Sequence, residues 1–261
     1  MAESTLSVTR TELRRYVCRY LYWDLSSLSA EQETDLDDIL RSALRDFYRP
    51  PVLPGETSTH RWSFMRPIWR FTLTQDVGDY DLPDDFGGFC SDLFYRDYHV
   101  NAPLRETGRG MIDALRQQST SAVPFTGQPL QFATFPLNNG GATPQRLGIS
   151  FYPTPDQEYE LIGQYEINPN ALAADAPYPM GGQPHSETLI AACLAAAELQ
   201  QNDIMGGPRY AKFIERLRTS IAYDRKVAGG PVGKFMSDGP SREVPFDRTQ
   251  YVTYRGERYD D

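Results

Sequence analysis

The period of the apolar residues changes twice along this chain, and that change decides what it can fold into. Near the start, Leu13, Tyr16, Val17, Tyr20 and Leu21 recur every three to four positions. So do Leu36, Ile39, Leu40, Ala43, Leu44 and Phe47. Such stripes are the buried face of a helix. From Thr57 to Pro169 the apolar residues instead alternate with polar ones, as strands require. The helical period returns at His185. Neither element can bury its apolar face alone, so the chain reads as α+β: a helical bundle from the N- and C-terminal helices, an inserted antiparallel β-rich domain, and an extended C-terminal arm. The segments are 1–56, 57–184, 185–228 and 229–261.

The helix ends are marked. Thr9 with Glu12, and Ser29 with Gln32, have capping-box spacing. The first helix is predicted over about Val8 to Trp23, and Pro50-Pro51 stops the second. The first carries Arg10, Arg14, Arg15 and Arg19, while the second opens with Glu31, Glu33 and Asp35. These two helices can pair as a hairpin or between subunits, with Arg14, Arg15, Asp37 and Asp38 as candidate inter-subunit contacts. Ser186 is placed to cap a third helix, which is Ala-rich and apolar nearly all round from Leu189 to Leu199, hence buried on most sides. Pro208 suits the first turn of a fourth. Its Tyr210, Phe213, Ile214, Leu217 and Ile221 face inward. Its Arg216 and Arg218, on a basic outer side, are further candidate contacts.

In the middle, strands are predicted at Trp62-Phe64, Trp69-Phe71-Leu73, Leu93–Tyr95, Leu130–Phe132, Leu147–Phe151 and Tyr159–Leu161, with one short helix near Gly110–Gln118. Asp79 to Phe86 reads as a turn-rich acidic connection. The tail holds Phe235, Phe246, Tyr251, Tyr254 and Tyr259, and a solvating tail would be poor in aromatics. It reads as an arm hinged at Gly229, Gly230 and Pro231. Either it docks on a partner by adding a strand, with Gln250 to Tyr254 as a candidate, or it folds back on its own domain. The run Gly229 to Phe235 looks like part of a phosphate-binding loop. Ala228 and Phe235 stand where that loop needs Gly and Ser or Thr, and no strand precedes it.

Composition narrows the function. A net charge of -9 opposes general binding to a phosphate backbone. Cys18, Cys90 and Cys193 are too far apart for a zinc site or a disulfide framework, so a reducing compartment is expected. His60, His99 and His185 are isolated, so neither a metal nor a cofactor is expected. The first twenty residues lack the apolar stretch of a signal peptide, and no apolar run is long enough for a membrane span. No nucleophile motif occurs, and the chain reads as a non-enzyme. The alternative is a carbohydrate-binding or glycan-hydrolysing module carried by Trp62, Trp69 and the acids from Asp76 to Asp85.

Two local signatures sharpen this. Trp69-Arg70-Phe71-Thr72-Leu73 precedes Asp79-Tyr80-Asp81-Leu82-Pro83-Asp84-Asp85-Phe86. Phe151-Tyr152-Pro153-Thr154-Pro155-Asp156 is followed by Tyr159-Glu160-Leu161 and Tyr165. In this order, and with helical flanks, they resemble the head-to-tail connector adaptor proteins of tailed bacteriophages over residues 8 to 228. The resemblance implies a ring of about twelve copies beneath the portal protein, at the head–tail junction of the virion. It implies assembly in the host cytoplasm, and a tail nozzle or stopper protein, with tail fibres, as lower partners. The tail would dock on the portal, and phage DNA would pass the lumen without sequence-specific binding. The loop from Asn138 to Gln145 and the long arm depart from the family pattern, which leaves the type of phage and the lower partner open.

Overall fold

Both capping boxes form. A computed structural model describes residues 4–96, 103–118, 125–138, 141 and 145–228, and the backbone of 253–254 and 257–258. The Thr9 hydroxyl oxygen accepts from the Glu12 N–H while the Glu12 carboxylate accepts from the Thr9 N–H, opening α1 (Arg10–Leu21). Ser29 and Gln32 do the same for α2 (Ala30–Tyr48). α1 ends short of the predicted Trp23 because Tyr22 turns left-handed at φ 58° and its N–H closes onto the Cys18 carbonyl.

The Trp62/Phe64 alternation does not make a strand. Ser63–Met65 is a 3-10 turn, and Trp62 and Met65 belong to the helical core. The Trp62 indole N–H donates to the Phe47 carbonyl at 2.8 Å, one of the carbonyls left over at the end of α2. Two alternating residues are too few to tell a strand from such a turn.

Eight strands follow among the described residues between α2 and the last two helices: β1 (Ile68–Leu73), β2 (Asp79–Asp81), β3 (Phe86–Phe89), β4 (Phe94–Tyr95), β5 (Arg105–Glu106), β6 (Gln131–Pro136), β7 (Leu147–Tyr152) and β8 (Tyr159–Ile167), with α3 (Arg109–Gln117) between β5 and β6. Antiparallel partners flank β8: β1 on one side, β3 and β4 on the other. The second sheet runs β2-β7-β6-β5. The pairings of these strands are antiparallel, as expected, except for the parallel β5–β6 pair. The segment read as a turn-rich connection contains β2 and ends at the first residue of β3; three- and four-residue strands beside acids carry too little alternation to be seen. Along β8, Leu161, Gly163, Tyr165 and Ile167 are buried at every second position, facing the aromatic core shared with the other sheet. Gly163 is needed there, because a Cβ would lie 2.4 Å from the Leu93 side chain.

The last two helices are α4 (Ser186–Asn202) and α5 (Pro208–Val227). As its all-round apolar surface requires, α4 is the centre of the bundle, packed by α1, α2 and α5. Its alanines let three neighbours approach closely. Ser186 does not cap it. The 3-10 turn Gln183–His185 runs straight into the helix, and the Ser186 hydroxyl instead accepts the Val8 N–H at 3.1 Å. α5 has no side-chain cap from its own N-cap residue, Gly207. The buried Glu198 carboxylate of α4 accepts the N–H groups of Arg209 and Tyr210 at 3.0 and 3.4 Å and serves in its place. A Cβ at Gly207 would come within 2.5 Å of that carboxylate.

The bundle and the sandwich each have a core, and Met180 packs against both. At the seam the Tyr48 hydroxyl accepts the Met180 N–H at 2.9 Å and Arg49 donates to Asn168 at 2.6 Å. The α+β architecture therefore holds, with a sandwich that is antiparallel but for the β5–β6 pair. Within the tail, Thr253–Tyr254 pairs antiparallel with Glu257–Arg258, which takes in the last two residues of the predicted Gln250–Tyr254 strand.

Candidate assembly surfaces

The polar groups in the least ordinary surroundings hold elements together. In the sandwich, Arg116 of α3 binds both oxygens of Asp79 at 3.1 Å and also donates to the carbonyls of Gly78 and Phe151. Arg109 reaches the same carboxylate at 3.1 Å, and the Ser150 hydroxyl also bonds to it. Burial works against ionisation of Asp79, but Arg116, Ser150 and Arg109 together hold its carboxyl below the usual carboxylate range. Asp84 pairs with Arg146 at 2.6 Å, and Asp85 accepts from the Tyr165 hydroxyl at 3.2 Å. A paired-acid hydrolase needs one carboxyl kept neutral to donate a proton. Asp79 is the opposite case. Trp62 is 1% exposed and Trp69 9%, so neither offers a face for a sugar ring to stack on.

A second cluster fastens the end of α5. Asp224, 3% exposed, accepts from the Ser63 hydroxyl at 2.6 Å, the Ser63 N–H at 3.1 Å and the His60 ring nitrogen at 2.9 Å. Arg225 makes a bidentate pair with Glu56, both contacts at 2.9 Å. α5 ends at Val227, so this clasp fixes the last turn before the tail begins. His185 lies beside it, its ring 5.1 Å from that of Trp62 and 5.9 Å from that of Tyr223. Burial pushes its pKa below the usual value. Cys18 and Cys193 are buried and Cys90 is exposed. Among the described residues no group of His, Cys, Asp and Glu side chains converges as a metal site would.

The candidate inter-subunit residues lie on the helices. Arg14 reaches Glu33 at 3.6 Å and Asp37 accepts from Arg10 at 2.9 Å, so α1 and α2 form a hairpin laced by opposite charges within one chain. Arg15 faces Glu12 on its own helix at 3.7 Å, and Asp38 faces Arg41 at 3.4 Å. Arg216 and Arg218 stand exposed on α5. Of the tail residues singled out from sequence, Tyr254 falls in a described strand. Phe235, Phe246, Tyr251 and Tyr259, and the hinge at Gly229, Gly230 and Pro231, lie outside the described residues.

One surface was not foreseen. Between α1 and α5, over Leu194 of α4, lies an open groove of about 640 Å³ walled by Tyr16, Tyr20 and Arg209, with Arg19 on its rim. Arg209 sits 5.2 Å above the Tyr20 ring. Periodicity shows which residues a helix turns outward but not that two outward faces converge. The same limit hid Glu198 and Asp224, although each occupies an inward position of its helix, where a lone carboxylate signals a specific partner.

No curated protein matches the chain. No helix among the described residues is long and apolar enough to cross a membrane. The family model described as SU10 adaptor protein matches residues 8–234, spanning the two helical ends and the sandwich between them. That match bears out the resemblance to phage head-to-tail adaptors drawn from the motifs, and it makes the chain a structural component of a phage particle. This chain belongs to the SU10 adaptor protein family.

Proposed function

We propose that the chain is the repeating subunit of a ring at the head–tail junction, joining the portal protein above to a tail nozzle or stopper below and lining the channel through which phage DNA leaves. About twelve copies would complete the ring, formed in the host cytoplasm as the virion assembles. Tail fibres would attach below. The aromatic tail, with Phe235, Phe246, Tyr251, Tyr254 and Tyr259, would reach the portal from the hinge at Gly229, Gly230 and Pro231. Arg14, Arg15, Asp37, Asp38, Arg216 and Arg218 would lie at or near contacts between neighbours.

The observation that carries this reading is the clasp at the end of α5. Asp224, Ser63, His60, Glu56 and Arg225 anchor the helix from which the tail departs. A tail pulled by a partner needs a root that does not unravel. An acidic chain, at a net charge of -9, also suits a bore that must let DNA slide without holding it. The test is co-sedimentation with purified portal rings. The full chain is expected to bind and a chain ending at residue 228 to bind far more weakly. No binding by either form would overturn the reading.

A further inference from the structure

We infer that the groove between α1 and α5 receives the acidic outer stripe of α2 from a second copy of this chain. This rests on the ring reading above and names the contact that would build the ring.

The groove is basic and aromatic. Arg209 stands on one wall, and Lys212 and Arg216 continue the same stripe along α5, three and seven positions on, both exposed. Arg19 rims the α1 side, Tyr16 and Tyr20 line the wall, and Leu194 forms the floor. The outer stripe at the start of α2 has the opposite sign. Glu31 and Asp38 are exposed and Asp35 is half-buried beside them, at spacings of four and three. Each stripe thus spans seven positions, so three cations face three carboxylates at one pitch.

The two surfaces belong to different flanks of one subunit. α2 and α5 each pack along α4, while α1 packs against α2 and α4, so the groove opens on the side of α1 away from α2. A patch on one flank that complements a patch on another makes a head-to-tail contact, which closes into a ring if it carries no rise along the axis. A level contact needs both patches at the same height on the bundle. Both stripes lie at the end where α1 turns into α2 and α4 into α5. Gln201, near the end of α4, donates to Asp35, and Asn202 donates to Tyr20. Arg209 belongs to the first turn of α5 at this same end. The contact stops halfway down. Further along α2 the outer residues of the stripe are Arg41 and Arg45, and the corresponding positions of α5 are Thr219 and Tyr223, so the match of opposite charges ends there. Exposed apolar side chains fringe the matched end, Tyr22 at 96% and Met205 at 87%, with Ile204 and Tyr210 beside them. They supply the burial that exposed ion pairs alone do not.

The experiment uses two full-length variants. One reverses the basic stripe of α5 that continues from the groove, Lys212→Glu with Arg216→Glu; the other reverses the acidic stripe of α2, Glu31→Lys with Asp38→Lys. Copies grown on light and heavy nitrogen are mixed at low salt, with and without portal rings. Carbodiimide then joins touching amines and carboxylates. In the wild type, cross-links between copies are expected from Lys212 to Glu31, Asp35 or Asp38. Each variant alone should lose self-association by on the order of tenfold or more. The two variants mixed should regain it, because each then meets the opposite charge. If both variants associate as the wild type does, or the mixture fails to recover, the groove assignment is wrong while the ring stands. If wild-type copies never associate, even on portal, the ring reading falls with it.

Discussion

Replacing Asp224 by Ala would remove a carboxylate that accepts three hydrogen bonds in a buried position, from Ser63 N–H, the Ser63 hydroxyl and His60. Hydrogen bonds to a charged group contribute about 1.5–3 kcal/mol each, but three on one acceptor do not add. The Ser63 hydroxyl and the His60 ring can turn toward water, while the Ser63 N–H cannot. One stranded donor plus the lost charge-assisted bonds gives a destabilisation of about 3 kcal/mol. Asp224→Asn keeps one acceptor but aims its amide hydrogens at groups that also donate, so about 2 kcal/mol is expected. Urea unfolding followed by circular dichroism measures both. The midpoints should fall in the order wild type, Asn, Ala, with little change of slope. Arg225→Ala, which breaks only the exposed pair with Glu56, should leave the midpoint nearly where it was. A loss below about 1 kcal/mol for Asp224→Ala, or equal losses for Asp224→Ala and Arg225→Ala, would refute the clasp as the anchor of α5.

Other predictions concern the bundle. Glu198→Ala should cost about 1–2 kcal/mol, as loss of a cap does, and should speed hydrogen exchange at the Arg209 and Tyr210 amides while leaving α2 unchanged. Stability should fall as pH drops below the ordinary histidine value of 6.5. Burial lowers the pKa of His185, Asp224 opposes that and His60 adds to it, so the unfolded chain binds the proton first and is favoured by acid. That acid slope should diminish in His185→Phe. In the native protein at pH 8 a maleimide should label Cys90, which is exposed, and spare Cys18 and Cys193; burial pushes the Cys193 thiol up to about 12. Labelling of more than one thiol per chain before unfolding would contradict the burial of Cys18 on α1 or of Cys193 on α4.

The helices could be read because their signals are local. Capping boxes at Thr9 and Ser29, prolines after α2 and the all-round apolar α4 each specify an element from within a few residues. The sandwich was partly legible. Long strands such as β7 and β8 alternate clearly, but β2 and β3 are too short, and the parallel β5–β6 pair depends on where α3 returns the chain. What stayed hidden was contact between distant positions. Nothing near Ser186 says that it will hold Val8, and nothing near Asp224 names Ser63. The groove is the strongest case. Tyr16, Tyr20 and Arg209 lie nearly two hundred positions apart at the extremes, and only the packing of α1 and α5 on α4 brings them together.

Electron cryo-microscopy of portal rings mixed with the full chain tests the account most directly. The account predicts one added ring of copies on one face of the portal, with neighbours touching through the α1–α5 groove and the tail reaching into the portal. Bare portal rings at saturating protein, or copies bound singly without touching one another, would contradict it.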